Sequence, residues 1–200
     1  MLGNWLSEAL SSRTKTKIVR LLASYPTKEF TGREIADLIG VSHRAVDLAL
    51  GDLVSLDIMT VHRIGRANVY TANEESQRFK SLASLFKEEA RTRDALFEEV
   101  RSSIPHVLSC VVFGSVARGE EGRDSDLDLL VITDAPRDLR EALDGLRVKV
   151  AKMFSLHLDP IVLTPKQLRE KWRTPYVVSA TAHGRLVAGE SLEAIYAMTG

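Results

Sequence analysis

The chain has 200 residues, 44% of them hydrophobic, and its 27 Lys and Arg are balanced by 27 Asp and Glu. That length holds one large domain or two small ones with real cores, and zero net charge excludes a protein that binds nucleic acid by bulk basicity alone. The single cysteine, Cys110, excludes an internal disulfide and a cysteine zinc site; with no apolar run near the roughly 20 residues of a membrane span and no signal-peptide pattern at the start, the expectation is a soluble, cytoplasmic protein that does not enter a membrane.

Thr14 to Ser24 carries Ile18, Leu21 and Leu22 at helical core spacing, and Tyr25-Pro26 stops it. Thr31-Gly-Arg-Glu34 is a capping box ahead of Ile35, Leu38 and Ile39, with Gly40 as the stop. Ser42 caps a third helix whose apolar positions are Val46, Leu50, Leu53 and Leu56. Two short helices joined by a tight glycine turn make a helix-turn-helix pattern. Ile58 to Ile64 and Asn68 to Ala72 then read as strands around Gly65-Arg66-Ala67, a hairpin in the place of a wing.

This order of elements, over residues 14–73, resembles the winged helix-turn-helix family of transcriptional regulators. The resemblance implies duplex DNA as a partner, with the third helix in the major groove and the wing on the backbone or minor groove. Carried onto this sequence, it points to His43 and Arg44 at the start of the reading helix and to Arg63 and Arg66 on the wing. Asp47 and Asp52 depart from the pattern. Asp47 lies one turn from Arg44 and either pairs with it or repels DNA. The other reading is a winged helix used for protein contacts or dimerisation. Residues 1–73 hold nine Lys and Arg against seven Asp and Glu, so any DNA surface rests on local placement.

Residues 74–104 contain no Pro and no Gly. They read as one long helix or two abutting ones, with an apolar stripe of Phe79, Leu82, Phe86, Leu96, Val100 and Ile104. Ala90 and Arg93 interrupt that stripe, which argues against a continuous coiled coil. A homodimer through this connector stays open. Pro105 ends it.

Val107 to Phe113 is a short apolar, β-branched run of the buried-strand type. Gly114 breaks it. Ser115 sits where a helix starts, so its hydroxyl and the free N–H groups there can face a phosphate. Arg118, about one turn on, can add a charged fork to the same anion. After the Gly-rich turn from Gly119 to Ser125, Asp126-Leu-Asp128 leads into a second buried strand, Leu129 to Ile132. Side chains two apart on a strand share a face. Asp126 and Asp128 can therefore converge on one metal centre or on two, and hard carboxylate oxygens beside a phosphate site suit Mg²⁺. The plainer reading is solvated loop acidity.

The residues Gly114, Ser115, Arg118, Gly119, Asp126 and Asp128, in this order of strand, turn, helix and strand, resemble the polymerase-beta-type nucleotidyltransferase superfamily, in particular its minimal branch. The resemblance covers residues 100–200. It implies that Gly114, Ser115 and Arg118 grip the phosphates of an NTP, with ATP favoured, and that two Mg²⁺ ions are held by Asp126, Asp128 and a third carboxylate from a later strand. Leu156 to Leu163 offers Asp159 for that place. His157 is either the reserve ligand or a partly buried strand residue, and Pro160 puts Asp159 at a strand start or edge. A helix over 138–154 precedes it; its Lys149 and Lys152 are either solvated or within reach of the triphosphate. Further helices are expected from Pro165 and Pro175, with Thr164 as a cap. The implied reaction moves an NMP, AMP by preference, from an NTP to a hydroxyl of a protein or RNA. Proteins of the minimal branch often act as antitoxins toward a partner toxin, and a fused winged helix suits one that represses its own operon. The opposing reading is a transcriptional regulator whose nucleotidyltransferase domain only senses NTP.

The expected fold class is α+β in two domains. A winged helix-turn-helix over 1–73 precedes a helical connector over 74–104 and an α/β nucleotidyltransferase domain with a small mixed sheet over 105–200.

Overall fold

The computed structural model describes residues 4–119, 125–137 and 139–198. The chain divides into two compact units, Met1–Arg91 and Thr92–Gly200. The first holds α1 (Trp5–Ala9), α2 (Arg13–Ser24), β1 (Phe30–Thr31), α3 (Gly32–Ile39), α4 (His43–Ser55), β2 (Met59–Ile64), β3 (Ala67–Ala72) and the first part of α5 (Gln77–Ser103). The capping box is formed: the Thr31 hydroxyl accepts from Glu34 N, and Glu34 Oε2 accepts from Thr31 N at 2.7 Å. Gly40 closes α3 at φ +63. Ser42 occupies the N-cap of α4 but makes no side-chain cap bond. Strands β2 and β3 form an antiparallel hairpin with Ile64 opposite Ala67. Gly65, at φ +61, takes the first turn position, where tight hairpins call for glycine. Ile18, Leu22, Phe30, Ile35, Leu50, Leu53 and Ile58 are buried together beneath these elements. The arrangement is a winged helix-turn-helix.

The second unit holds the rest of α5, then β4 (Ser109–Phe113), α6 (Gly114–Arg118), β5 (Asp126–Ile132), α7 (Arg140–Phe154), β6 (His157–Leu163), α8 (Pro165–Glu170), α9 (Pro175–His183), β7 (Arg185–Gly189) and α10 (Leu192–Met198). The connector is one continuous helix. Four strands run in the order β6-β5-β4-β7. β5 and β6 are parallel and the other pairs antiparallel, so the sheet is mixed, as expected. α7 makes the crossover that a parallel pair requires. Asp138 lies outside the described residues.

Strand alternation sorts the unit into two cores. Leu127, Leu129, Val131 and Leu158 face α7 and the end of α5, where Leu96, Val100, Leu143, Leu146 and Val150 pack. Leu130, Ile132 and Leu163 face the other way, onto Leu168, Val177, Leu192 and Ile195 of α8, α9 and α10. β6 is an edge strand, which is where a strand tolerates Pro160. Cys110 sits in β4, fully buried, and burial pushes its thiol up to about 12.

Candidate active site

The parity that packs Leu130 and Ile132 inward puts Asp126 and Asp128 on the same face, at the open end of β5. The parallel register sets Asp128 opposite Asp159 and Asp126 opposite His157. Three carboxylates therefore stand at one corner of the sheet. β4 brings the phosphate-type turn to that corner, because Phe113 pairs with Asp128 and Gly114 follows at once. Gly114 is required twice over. Its φ of +74 is strained for any side chain, and a Cβ there would collide with the Asp128 carboxylate.

Ser115 is the second residue of α6 and is half-buried. The N-cap residue, Phe113, has no side-chain acceptor to offer the leading N–H groups of this helix. The carboxyl of Asp128 is held above the usual Asp range, first by burial, then by the charges of Asp159 and Asp126. Arg118 opposes this shift, so its guanidinium lies within electrostatic reach of Asp128. Among the described residues no group of three or more His, Cys, Asp or Glu side chains is placed so that it could hold a metal ion.

Three sequence readings change. His157 is exposed instead of partly buried, and its Nδ1 lies 3.7 Å from Asp126 Oδ1. Its side chain stands at the acidic corner because it leads the edge strand. Lys149 faces away from the acids: its ammonium donates to Glu99 at 2.7 Å and to Ser103 at 3.2 Å, tying α7 to α5 on the opposite side of the sheet. Lys152 is exposed. Among the described residues Asp47 forms no ion pair with Arg44; its Oδ2 lies 3.9 Å from His43 Nδ1.

A residue that sequence reasoning missed is Arg93. A Cβ on Gly119 would stand 3.0 Å from Arg93 Nη1, so this guanidinium reaches from α5 to the end of α6, beside Arg118. The signal available in the sequence was the break that Arg93 makes in the apolar stripe of α5.

In the first unit, His43, Arg44, Arg63 and Arg66 are all exposed. His43 and Arg44 open α4, and Arg63 Nε donates to Gly65 O at 3.2 Å across the hairpin end. Asp52 is bridged by Lys15 at 2.7 Å.

Residues 93–187 match the family model described as nucleotidyltransferase domain. No curated protein matches the chain. Among solved structures, the chain is similar to reduced HlyU from Vibrio cholerae N16961, at 18% identity over 42% of this chain and 83% of that one, with a TM-score of 0.36. NolR from Sinorhizobium fredii is similar at 16% identity over 42% and 79%, with a TM-score of 0.36. A toxin-antitoxin solved with AMP-PNP is similar at 21% identity over 54% and 82%, with a TM-score of 0.38. The family-model match puts the likeness to a nucleotidyltransferase domain in the carboxyl-terminal part of this chain. Among the described residues no helix is long and apolar enough to cross a membrane.

Proposed function

We propose that the chain transfers an NMP, AMP by preference, from an NTP to a hydroxyl on a protein or RNA, and that its winged helix binds duplex DNA. The observation that carries the catalytic half is the pairing of Asp128 with Asp159, two residues from Asp126, against the glycine that opens α6. Three carboxylates brought to one corner, with Asp128 held up first by burial and then by the charges of the other two, fit a divalent cation, and their oxygen donors suit Mg²⁺. Asp126, Asp128 and Asp159 would hold it. Bound there, Mg²⁺ supplies charge neutralisation for a triphosphate and acidifies a hydroxyl in its shell.

The chain's own residues do the rest. Gly114 lets the backbone approach the phosphates, and Ser115 and the leading N–H groups of α6 donate to their oxygens. Arg118, with Arg93 beside it, neutralises the charge that gathers on departing pyrophosphate. Asp159, at the exposed edge, is the carboxylate open to an incoming acceptor hydroxyl, and accepts its proton as the new phosphoester bond forms. Arg44 and His43 read base edges, while Arg63 and Arg66 take phosphates. Coupling of the two activities describes an antitoxin-like autoregulator, a reading that rests on the minimal-branch resemblance.

The test is incubation with Mg²⁺ and α-labelled ATP, with and without the product of the neighbouring gene, and with total RNA. Label on protein or RNA, lost in Asp126→Asn, is the expected result. Saturable ATP binding that alters DNA affinity with no label transfer would replace the enzyme with a nucleotide sensor.

A further inference from the structure

On the sheet face opposite the three carboxylates, a groove of about 670 Å³ runs between α7 and the outer edge of β6. Leu143, Pro160 and Val162 form its floor, and Arg137, Arg140 and Arg147 line its walls. Arg140 and Arg147 are two helical turns apart on one stripe of α7, and Arg137 stands in the turn before that helix. Arg147 donates to Asp144 at 3.0 Å. Asp144 also lines the groove, so three guanidinium groups share it with one carboxylate, and Arg137 and Arg140 have no side-chain partner among the described residues.

We propose that this groove docks an extended acidic segment of another protein. Charge complementarity selects an anionic occupant, and guanidinium forks match carboxylates in pairs. Among the described residues no aromatic side chain lines the groove. A single-stranded nucleic acid would find no platform for its bases there, whereas alternating apolar side chains of a peptide would find the Leu143, Pro160 and Val162 floor. β6 is an open edge, which favours an extended occupant. Pro160 removes one donor from that edge, so a continuous added strand is disfavoured and the arginines carry the recognition. The surface lies across the sheet from Asp126, Asp128 and Asp159, and the proposal stands whether or not the transfer reading does.

The test uses the full chain and a short fluorescent peptide of Glu residues alternating with apolar ones, followed by anisotropy at low salt. Saturable binding is expected, weakening as salt rises. Arg140→Ala and Arg137→Ala should each weaken it about tenfold, the scale of one charge-assisted contact. The double reversal Arg137→Glu with Arg140→Glu should abolish binding and confer binding of the matching Lys peptide. Melting curves confirm that each variant is folded. No binding of the Glu peptide at low salt overturns the proposal, as does equal binding of the Gln version or indifference to the arginine variants. Tighter, Arg140-dependent binding of a single-stranded oligonucleotide would assign the groove to nucleic acid instead.

Discussion

Replacing Asp128 with Asn should make the protein more stable and less active at once. Asp128 sits beside Asp159 across a parallel strand pair and shares its face with Asp126. Adjacent strands lie about 4.8 Å apart. Two unit charges at roughly that distance repel by about 1 kcal/mol under water-like screening, and by more as the dielectric falls. Arg118 returns part of this. A net relief of about 1 kcal/mol is the expectation for Asp128→Asn in EDTA, which raises Tm by about 2–4 °C in a chain of this size. The advantage should reverse on adding Mg²⁺ and a non-hydrolysable ATP analogue. A ligand at 100-fold its Kd stabilises the wild type by about 2.7 kcal/mol, and the variant has lost a ligand oxygen's charge. The pH dependence follows from the raised carboxyl. Below the unfolded Asp value of about 3.9 both states are protonated and Asp128 contributes nothing. As pH rises from there through the higher folded value, the folded state resists ionisation and the wild type loses stability. The gap between the two proteins should therefore open with rising pH and close in acid. Melts in EDTA that show the variant less stable than the wild type, or Mg²⁺ raising both alike, would refute the reasoning.

Gly114→Ala should cost about 1–2 kcal/mol from its φ alone and should also displace the Asp128 carboxylate, so label transfer falls further than the melt does. Ser115→Ala should weaken NTP binding modestly, and Arg118→Ala by roughly 1.5–3 kcal/mol, read by calorimetric titration with the fold intact by circular dichroism. Arg44→Ala should relax sequence preference in gel shifts on the gene's upstream DNA, while Arg66→Ala should weaken all duplexes alike and flatten the salt slope by about one. Lys149→Ala should lower Tm slightly and leave label transfer unchanged, because Lys149 binds Glu99 and Ser103 on the far side of the sheet.

Local chemistry was what the sequence displayed. Thr31 with Glu34, Thr164 with Gln167, and the glycine at 65 announce their caps and turn because each acts within a few residues. Asp126 and Asp128 declared a shared face by their spacing alone, and Pro160 declared an edge. What stayed hidden depends on tertiary partners. α1 has only five residues and no cap bond, too little for a pattern. Ser42 sits at a cap position without capping by its side chain. Lys149 is 50 residues from Glu99 in sequence but one hydrogen bond away in space. Arg93 looked like a flaw in an apolar stripe until Gly119 was beside it. The arginine groove needs both the outward edge of β6 and the stripe on α7, and neither segment contains it alone.

Cys110 offers a way to time the opening of the sheet that carries the acids. Its thiol is fully covered within β4, and burial holds the reactive thiolate form far out of reach at neutral pH. With no second cysteine in the chain, an added disulfide reagent has one target, and only when that strand comes apart. The labelling rate then reports how often the second unit opens, on a scale set by its local free energy. Any ligand that closes over Asp126, Asp128 and Asp159 should slow this clock, because β5, which bears two of them, is the strand paired to Cys110 through Val131.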